Sequence, residues 1–205
     1  MARVYVDLDD VLSQTIRGLL ALLERQHGRR VSEEEVRHFD LGHSFGLGRE
    51  ELDAFMREAH RPAALEALEP RPGAARALRS WAEDGHDVFV MTGRPPSAEA
   101  PSRRWLQTHD IPHTKLACVN KYGRADWYDD APEALPLDAL AGLDFSLAVE
   151  DSLEIAIHLA ESCQLTVALM DQPWNRDARG LRPATAARIV RCRGWEEVLA
   201  RFPEP

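Results

Sequence analysis

The chain has 205 residues, of which 44% are apolar, and it carries a formal net charge of −9 with an isoelectric point of about 5.4. This length and composition suit a soluble globular protein made of one domain and a modest insertion. The acidic balance disfavours a nucleic-acid polymer as partner. No apolar run reaches the ~20 residues that a helix needs to cross a bilayer, so no membrane association is expected.

The cysteines and the N-terminal residues favour a cytoplasmic location. The chain enters an apolar strand almost at once, so we expect no signal peptide. The three cysteines are widely spaced and form no CxxC pair, which is typical of reduced thiols rather than disulfides or metal ligands. They are Cys118, Cys163 and Cys192.

Predicted strands and helices alternate along most of the chain. Short apolar runs predict strands at residues 4–8, 87–91, 115–119, 145–149, 165–170 and 188–191. Helical spacing predicts helices at residues 74–83, 98–109 and 153–161, and a last helix from about residue 195. This alternation predicts an α/β fold, a three-layer sandwich in which helices cover both faces of a parallel sheet.

Residues 14–71 depart from that alternation because they contain predicted helices and no strand. Helices are expected at residues 13–27 and 49–60, and a capping box of Ser32 and Glu35 predicts a short helix between them. The glycine-rich stretch 39–48 is expected to be a loop. We therefore predict a helical cap at residues 14–71, inserted into a core domain formed by residues 1–13 and 72–205.

Three predicted strands end in polar clusters, and ligands of open α/β sheets bind at the carboxyl ends of strands. The clusters are Asp7-Leu8-Asp9-Asp10, Thr92-Gly93-Arg94-Pro95 and Glu150-Asp151-Ser152. We expect them to meet at one edge of the sheet. A buried strand does not normally end in three acids unless their charge is neutralised, and a hard cation with oxygen ligands would neutralise it.

These residue types suit phosphoryl transfer through a covalent aspartyl phosphate. Asp7 is the candidate nucleophile, and Asp9 would protonate the leaving oxygen and later deprotonate water. Crowding among the acids is expected to raise the pKa of Asp9. Mg²⁺ would be held by Asp7, by the backbone carbonyl of Asp9 and by Asp151, with Glu150 also in the metal site.

The phosphoryl oxygens need donors of their own. The Thr92 hydroxyl and the Gly93 N–H are candidates, and a lysine, Lys121 or Lys115, would complete the charge balance. Arg94 is interpreted either as a phosphate ligand or as a surface arginine.

In order and spacing, these motifs resemble those of the haloacid dehalogenase-like phosphohydrolases. Asp7 and Asp9 match that superfamily's Asp-x-Asp motif, Thr92 its hydroxyl motif, and the pair Glu150-Asp151 its acidic motif. The resemblance implies the superfamily's α/β core, Mg²⁺ and a cap over the active site. It implies that Asp151 is the direct metal ligand and that Glu150 lies behind it.

The same resemblance bears on the lysine and on a competing acidic pair. Residues 119–123 resemble the lysine segment of the superfamily, which favours Lys121 over Lys115. Asp129 and Asp130 form a rival acidic pair, but the residues before them are less strand-like than those before Glu150.

Within the superfamily, the chain is similar to the 5′(3′)-deoxyribonucleotidase-like group. The similar segments are the Thr-Gly-Arg-Pro stretch, Ile111-Pro112 and the loop at residues 172–176. This implies a 5′-nucleotidase acting on nucleoside monophosphates. The alternatives are a phosphatase or phosphomutase of a sugar phosphate or other phosphometabolite, and a non-catalytic protein that binds a phosphorylated ligand. Members often have Gly where this chain has Asp10, whose role is open.

Four ring-bearing residues of the predicted cap, and one loop of the core, have two interpretations each. The rings either form a slot for a nucleobase or make the core of the cap, and they belong to Phe39, His43, Phe45 and Phe55. The loop at residues 172–177 is interpreted either as the rim of the site or as a polar turn.

Overall fold

A computed structural model describes residues 1–123 and 134–205 of the chain. The rival pair Asp129 and Asp130 lies outside the described residues. None of the helices in the described parts is long and apolar enough to cross a membrane.

The core is a seven-stranded sheet in which each pair of neighbouring strands is parallel. In chain order the strands are β1 (Arg3–Val6), β2 (Asp87–Thr92), β3 (Lys115–Asn120), β4 (Leu135–Pro136), β5 (Leu147–Glu150), β6 (Thr166–Met170) and β7 (Ile189–Cys192). Their spatial order is β4-β3-β2-β1-β5-β6-β7, so the sheet grows in both directions from β1. The predicted α/β fold is confirmed.

The helices occupy positions between and after the strands. They are α1 (Thr15–His27), α2 (Leu41–Phe45), α3 (Arg49–Ala59), α4 (Pro62–Glu66), α5 (Ala74–Glu83), α6 (Glu99–Thr108), α7 (Leu153–Ser162), α8 (Pro183–Ala186) and α9 (Trp195–Arg201). Both faces of the sheet are buried, which explains the continuous apolar run of β1. Val4 and Val6 pack on one face in the cluster that includes α5, α6 and α9, whereas Tyr5 packs on the other with α7.

Residues 14–71, called here the helical segment, contain α1 to α4 and have an apolar cluster of their own. Ile16, Leu23, Phe45 and Phe55 are among its buried members. The predicted capping box is present, and it starts a 3₁₀ turn at Glu33–Glu35. The prediction that residues 39–48 form only a loop is wrong, because α2 lies inside this stretch.

The formation of α2 has a local cause. The Asp40 carboxylate accepts hydrogen bonds from the backbone N–H groups of Gly42 and His43, which satisfies two donors at the start of the helix. Gly46 ends the helix in the left-handed conformation, with a φ of 61°. The residues at the two ends of α2, Asp40 and Gly46, stabilise this short helix, and no periodic pattern of apolar residues predicts it.

The arrangement of the central strands brings the three polar clusters together. β1 lies between β2 and β5, with Val6 opposite Val90 on one side and Val149 on the other. The residues that follow these strands therefore emerge side by side at one edge of the sheet, as the sequence predicts.

Candidate active site

Asp7 directly follows β1 and is buried at the carboxyl edge of the sheet. Its backbone N–H donates to the Val149 carbonyl at 2.9 Å, so it is still held by the neighbouring strand. Its Oδ1 accepts from the Leu8 N–H at 2.7 Å and lies 2.9 Å from the Lys121 Nζ. The backbone thus fixes the direction of this carboxylate, and a buried ammonium group offsets part of its charge.

Lys121 is the lysine that the fold brings to the acids. It follows β3, is only 4% exposed, and its Nζ lies 2.9 Å from both the Asp7 and the Glu150 carboxylates. Burial alone would lower the pKa of Lys121, but these two carboxylates outweigh burial and raise it. Lys115 is exposed at the start of the same strand, away from the acids.

Three acids form a buried cluster around that lysine. Carboxylate oxygens of Asp7, Glu150 and Asp151 all lie within 4.8 Å of one another. Burial and the charge of Glu150 raise the pKa values of both Asp7 and Asp151 well above the ordinary range. The negative charges of Asp7 and Asp151 are therefore not fully compensated by positive groups of the protein.

Glu150 differs from its two neighbours. Burial acts to raise the pKa of Glu150. Lys121, together with hydrogen bonds from the Ser152 N–H and the Tyr5 hydroxyl, outweighs burial and lowers this pKa. The cluster as a whole offers oxygen donors and more negative charge than one lysine neutralises. This donor set fits a hard divalent cation such as Mg²⁺.

Asp9 is not a member of this cluster and is paired with Arg94. The Arg94 Nη2 lies 2.7 Å from the Asp9 Oδ1, and its Nε donates at 3.1 Å to both carboxylate oxygens. Arg94 is only 3% exposed and also donates to the Ser102 hydroxyl, so its interpretation as a surface arginine is wrong.

The expected rise in the pKa of Asp9 is also wrong. Burial acts to raise this pKa, but the Arg94 guanidinium and a 2.6 Å hydrogen bond from the Thr15 hydroxyl outweigh burial and lower it. The crowding that the sequence indicates falls on Asp7 and Asp151 instead. Asp9 is therefore ionised at neutral pH in this state.

Thr92 and Gly93 lie beside Asp9 at the end of β2. The Thr92 Oγ1 accepts from the Arg94 N–H at 3.1 Å and donates to the Asp9 Oδ2 at 3.3 Å. A methyl group added at Gly93 would lie 2.9 Å from the Tyr122 ring and 3.4 Å from the Lys121 side chain. Glycine is thus required here by the close approach of the segment that carries Lys121.

We predict that Gly93→Ala displaces Tyr122 and Lys121, because the added methyl cannot fit beside the ring. The expected cost is about 1–3 kcal/mol of unfolding free energy, with a raised KM for any phosphorylated substrate. Chemical denaturation and steady-state kinetics measure both. Gly142→Ala is the matched control, since a methyl there meets nothing within 4 Å, and an equal loss in the two variants would contradict the prediction.

Asp10 shapes the turn that joins the core to the helical segment. Its φ is 54°, and its carboxylate accepts from the Ile16 N–H at the start of α1 and pairs with the Arg71 Nη2 at 3.1 Å. Burial, together with the nearby Asp9 charge, raises the pKa of Asp10 to about 7, despite Arg71 and the Ile16 N–H. Asp10 therefore contacts both of the connections that join the core to the helical segment, one through Ile16 and the other through Arg71.

We predict that Asp10→Asn removes a pH dependence from the stability of the protein. A carboxyl whose pKa is about 7 in the folded state destabilises the fold progressively as the pH rises from about 4 to about 7. Asn accepts the same N–H and tolerates the positive φ. The unfolding free energy of the variant, relative to that of the wild type, should therefore rise by about 2–4 kcal/mol as the pH increases across this range. Denaturation at a series of pH values in EDTA measures it, and a constant difference would contradict it.

A cavity of about 510 Å³ opens above these residues. Asp7, Asp9, Gly93, Arg94 and Asp151 line one end of it. Most of the remaining wall comes from aliphatic side chains of the helical segment, among them Ile16, Leu19, Leu22, Val36, Leu41 and Met56. The cavity thus has a highly charged end and a largely apolar body.

The ring-bearing residues of the helical segment divide between the two interpretations. Phe45 and Phe55 are buried in the segment's own core, and His43 packs against His38 at the surface. Phe39 lines the cavity, is 41% exposed, and lies 5.3 Å from the Tyr122 ring between centroids.

Further polar or aromatic side chains line the cavity although no motif in the sequence marks them: Thr15, Arg25, His38, Glu58, His60 and Tyr122. Tyr122 could have been anticipated only because it directly follows Lys121. The two histidines belong to the helical segment, and their spacing carries no signal of a shared site.

The loop after β6 belongs to the rim of this site and is not merely a polar turn. The Gln172 side chain donates to the Asp10 carbonyl at 3.3 Å. The Asn175 side chain donates to the Asp151 carbonyl at 2.7 Å, and the Trp174 indole N–H donates to the Asp151 carboxylate at 2.9 Å. This loop therefore touches both acidic turns.

The parallel sheet, the paired aspartates after β1, the hydroxyl after β2 and the acidic pair after β5 define a haloacid dehalogenase-like hydrolase. Residues 1–161 match the family described as "5′ nucleotidase, deoxy (pyrimidine), cytosolic type C protein". The chain belongs to this family, and it is a nucleotidase-like phosphohydrolase.

Relatives and solved structures agree with this assignment. A "putative nucleotidase" of Halalkalibacterium halodurans is 24% identical over 202 residues, which cover 98% of this chain and 93% of the relative. The fold is similar to a haloacid dehalogenase-like hydrolase of Streptococcus pneumoniae, with a TM-score of 0.62, 12% identity and 98% of each chain covered. A haloacid dehalogenase family hydrolase of Deinococcus radiodurans, solved with bound phosphate and sodium, has a TM-score of 0.62, with 15% identity and 100% and 96% of the two chains covered.

Proposed function

We propose that this protein is a Mg²⁺-dependent, cytoplasmic 5′-nucleotidase that hydrolyses nucleoside monophosphates through an aspartyl phosphate on Asp7. The observation that carries the proposal is the buried Asp7 carboxylate, held 2.9 Å from the Lys121 Nζ at the charged end of a cavity of about 510 Å³. A small phosphorylated metabolite fits such a cavity, with its phosphate at the acids and its organic part against the apolar wall.

Asp7 is the nucleophile in this proposal. Both contacts described for its carboxylate engage Oδ1, so we assign the attack on phosphorus to Oδ2. The bond from Oδ2 to phosphorus forms as the bond from phosphorus to the ester oxygen breaks. Water then attacks the aspartyl phosphate, which releases inorganic phosphate and regenerates Asp7. Lys121, the Thr92 hydroxyl and the Gly93 N–H bind the phosphoryl oxygens in both steps.

The acidic cluster supplies the metal ligands. Asp7, Asp151 and the backbone carbonyl of Asp9 would hold Mg²⁺, with Glu150 oriented behind them by Lys121 and Tyr5. When bound, the ion offsets the repulsion between the carboxylates and the incoming phosphate. The raised pKa values of Asp7 and Asp151 support this assignment, because they reflect negative charge that the protein leaves uncompensated.

Asp9 is the acid and base, and its pairing with Arg94 sets the conditions for that role. In the described state Asp9 is ionised, which suits the second step, in which it takes a proton from the attacking water. To protonate the leaving oxygen in the first step, Asp9 must first take up a proton from solvent, which requires it to lose part of its contact with Arg94. The substrate phosphate supplies a competing anion for the guanidinium, and Arg94 thereby serves as a phosphate ligand.

The helical segment is the cap, with residues 14–71 covering a core of residues 1–13 and 72–205. Most of the cavity wall that the segment supplies is aliphatic, although Arg25, His38, Glu58 and His60 also line it. The aliphatic part offers no partners to the hydroxyl groups of a sugar phosphate, which would leave water there without compensation. A nucleobase loses less, and the paired rings of Phe39 and Tyr122 offer a stacking surface worth about 1–3 kcal/mol. These features favour a nucleotide over a sugar phosphate as substrate.

A phosphate-release screen tests the function. Nucleoside 5′-monophosphates, sugar phosphates and other phosphomonoesters are compared at equal concentration, with Mg²⁺ and with EDTA. We expect Mg²⁺-dependent phosphate release that is fastest from nucleotides, and an initial burst of the nucleoside product, not of phosphate, if the aspartyl phosphate accumulates. Activity confined to sugar phosphates would reject the nucleotidase assignment, and equal activity in EDTA would reject the metal requirement.

A further inference from the structure

Trp174 belongs to the core, yet it packs in the apolar cluster of the helical segment. Every other described member of that cluster lies between residues 16 and 59. Trp174 follows β6, is half-buried, and lines the same cavity as the segment's own side chains. It is therefore one point at which the segment packs on the sheet domain, beside Leu65 and Leu68, which belong to the core cluster of that domain.

The polar edge of the same ring reaches the acidic cluster. Its Nε1–H donates to the Asp151 Oδ2 at 2.9 Å, and Asp151 is buried beside Asp7 and Glu150. A hydrogen bond from a neutral donor to a buried carboxylate fixes the direction of the carboxylate without cancelling its charge. Such a donor leaves the acid free to bind a cation and orients it while it does so.

The backbone of the Trp174 loop is held by hydrogen bonds to the sheet domain. The Asn175 side chain, which is fully buried, donates at 2.7 Å to the carbonyls of Asp151 and Met170. Arg191 in turn donates to the Asn175 carbonyl at 2.8 Å. These bonds hold the loop to β6 and to the Asp151 turn, so the indole is fixed at its base and depends on the helical segment for the packing of its ring.

A second contact joins this loop to the helical segment. The Arg176 Nη1 lies 2.7 Å from the Glu34 carboxylate in the 3₁₀ turn of the segment. Because both side chains are exposed, this pair contributes little free energy on its own. It shows that the segment is docked on the Trp174 loop and not only on the crossings near Asp10 and Arg71.

We propose that Trp174 is a positioning residue that couples docking of the helical segment to the orientation of Asp151. When the segment is docked, its apolar side chains hold the indole ring, and the ring holds the Asp151 carboxylate. When the segment moves away, the ring loses this packing and Asp151 loses its donor. By thermodynamic linkage, a cation bound at Asp151 must in turn stabilise the docked segment. This inference rests on the proposed function in that Asp151 is taken as a metal ligand.

Mg²⁺ binding to the full chain, measured by isothermal titration calorimetry without substrate, tests the coupling. Trp174→Phe keeps an apolar ring and removes the N–H, and we expect its Mg²⁺ affinity to fall about tenfold. Trp81→Phe is the matched control, since the Trp81 indole N–H donates to the Phe202 carbonyl on the helical layer of the core. That variant should bind Mg²⁺ as the wild type does.

Val36→Ala separates coupling from a purely local hydrogen bond. Val36 is buried in the helical segment, belongs to the same apolar cluster as Trp174, and lines the same cavity. We expect this variant to lose Mg²⁺ affinity by about threefold, because looser packing in the cluster against which the ring packs disorders the donor to Asp151. Hydrogen exchange of residues 33–45 should slow on Mg²⁺ addition in the wild type, and this slowing should be lost in Trp174→Phe.

The outcomes separate this inference from the proposed function. If the wild type and Asp151→Asn bind Mg²⁺ equally or not at all, the metal site is wrong and the coupling falls with it. If Asp151→Asn loses binding while Trp174→Phe and Val36→Ala keep wild-type affinity, the metal site stands and the coupling is overturned. If only Trp174→Phe is weakened, the indole is a local donor and the coupling is likewise overturned.

Discussion

Asp7→Asn is expected to lose phosphate release by a factor of about 10³ or more while keeping its fold. An amide oxygen is a far weaker nucleophile than a carboxylate, so the covalent step has no substitute group at this position. The amide still accepts from the Leu8 N–H, and it removes a negative charge from beside Glu150 and Asp151. The lost ion pair with Lys121 and the relieved repulsion oppose each other, so we expect little change in thermal stability.

The measurement is single-turnover phosphate release, together with a thermal unfolding curve for each protein. Asp144→Asn is the matched control, because Asp144 is exposed and its φ of 50° is one that Asn accepts readily. The control should keep wild-type turnover. Wild-type turnover in Asp7→Asn would mean that Asp7 is not the nucleophile and that the reaction has no aspartyl phosphate at this residue.

The strands, and the edge at which their polar ends meet, could be predicted because they depend on local patterns. The run Val4-Tyr5-Val6 is apolar without alternation because its side chains enter clusters on both faces of the sheet. Parallel strands then oblige the residues that follow them to emerge at one edge. Asp7, Thr92 and Glu150 were predicted together for this reason, and Lys121 for its likeness to a known segment.

The partners of individual site residues could not be predicted, because they join distant positions that carry no periodic signal. Arg94 pairs with Asp9 across 85 positions, and this pairing lowers a pKa that crowding alone would raise. Arg71 pairs with Asp10 across 61 positions. Each pairing depends on how segments that are distant in the sequence pack against each other at the edge of the sheet. Composition and residue spacing do not determine this packing.

The organisation of the helical segment was predicted least well for a related reason. Its helices are short, and α2 depends on one carboxylate at Asp40 and one glycine at Gly46 rather than on an apolar repeat. Phe45 and Phe39 lie six residues apart, yet one is buried in the segment and the other borders the cavity. Aromatic residues in such a segment indicate a core, and only the packed structure separates those that face a ligand.

Lys121→Met is expected both to destabilise the protein and to inactivate it. The substitution leaves the Glu150 carboxylate, and with it Asp7, buried without the ammonium group that now lies 2.9 Å from each. Removing one partner of a buried ion pair costs about 3–5 kcal/mol. Activity should fall at least about 100-fold, because the same ammonium group is assigned to the phosphoryl oxygens. Lys115→Met, at the exposed start of the same strand, is the control and should change neither property.

The pH dependence of this loss identifies its cause. In the wild type, the folded-state pKa of Glu150 is lowered, chiefly by Lys121 acting against burial. A lowered pKa contributes stability above the pKa of the unfolded chain, near 4.5, and this stability is lost as the pH falls through the folded-state value. Lys121→Met lacks this contribution, so its deficit in unfolding free energy should be largest near neutral pH and should shrink below about pH 4. Denaturant unfolding of both proteins from pH 3.5 to 8, in EDTA, measures the difference.

A deficit that stays constant across this range would mean that Lys121 stabilises the fold through the packing of its aliphatic stem. A deficit that shrinks at low pH would mean that its charge holds the acids in place before any substrate arrives.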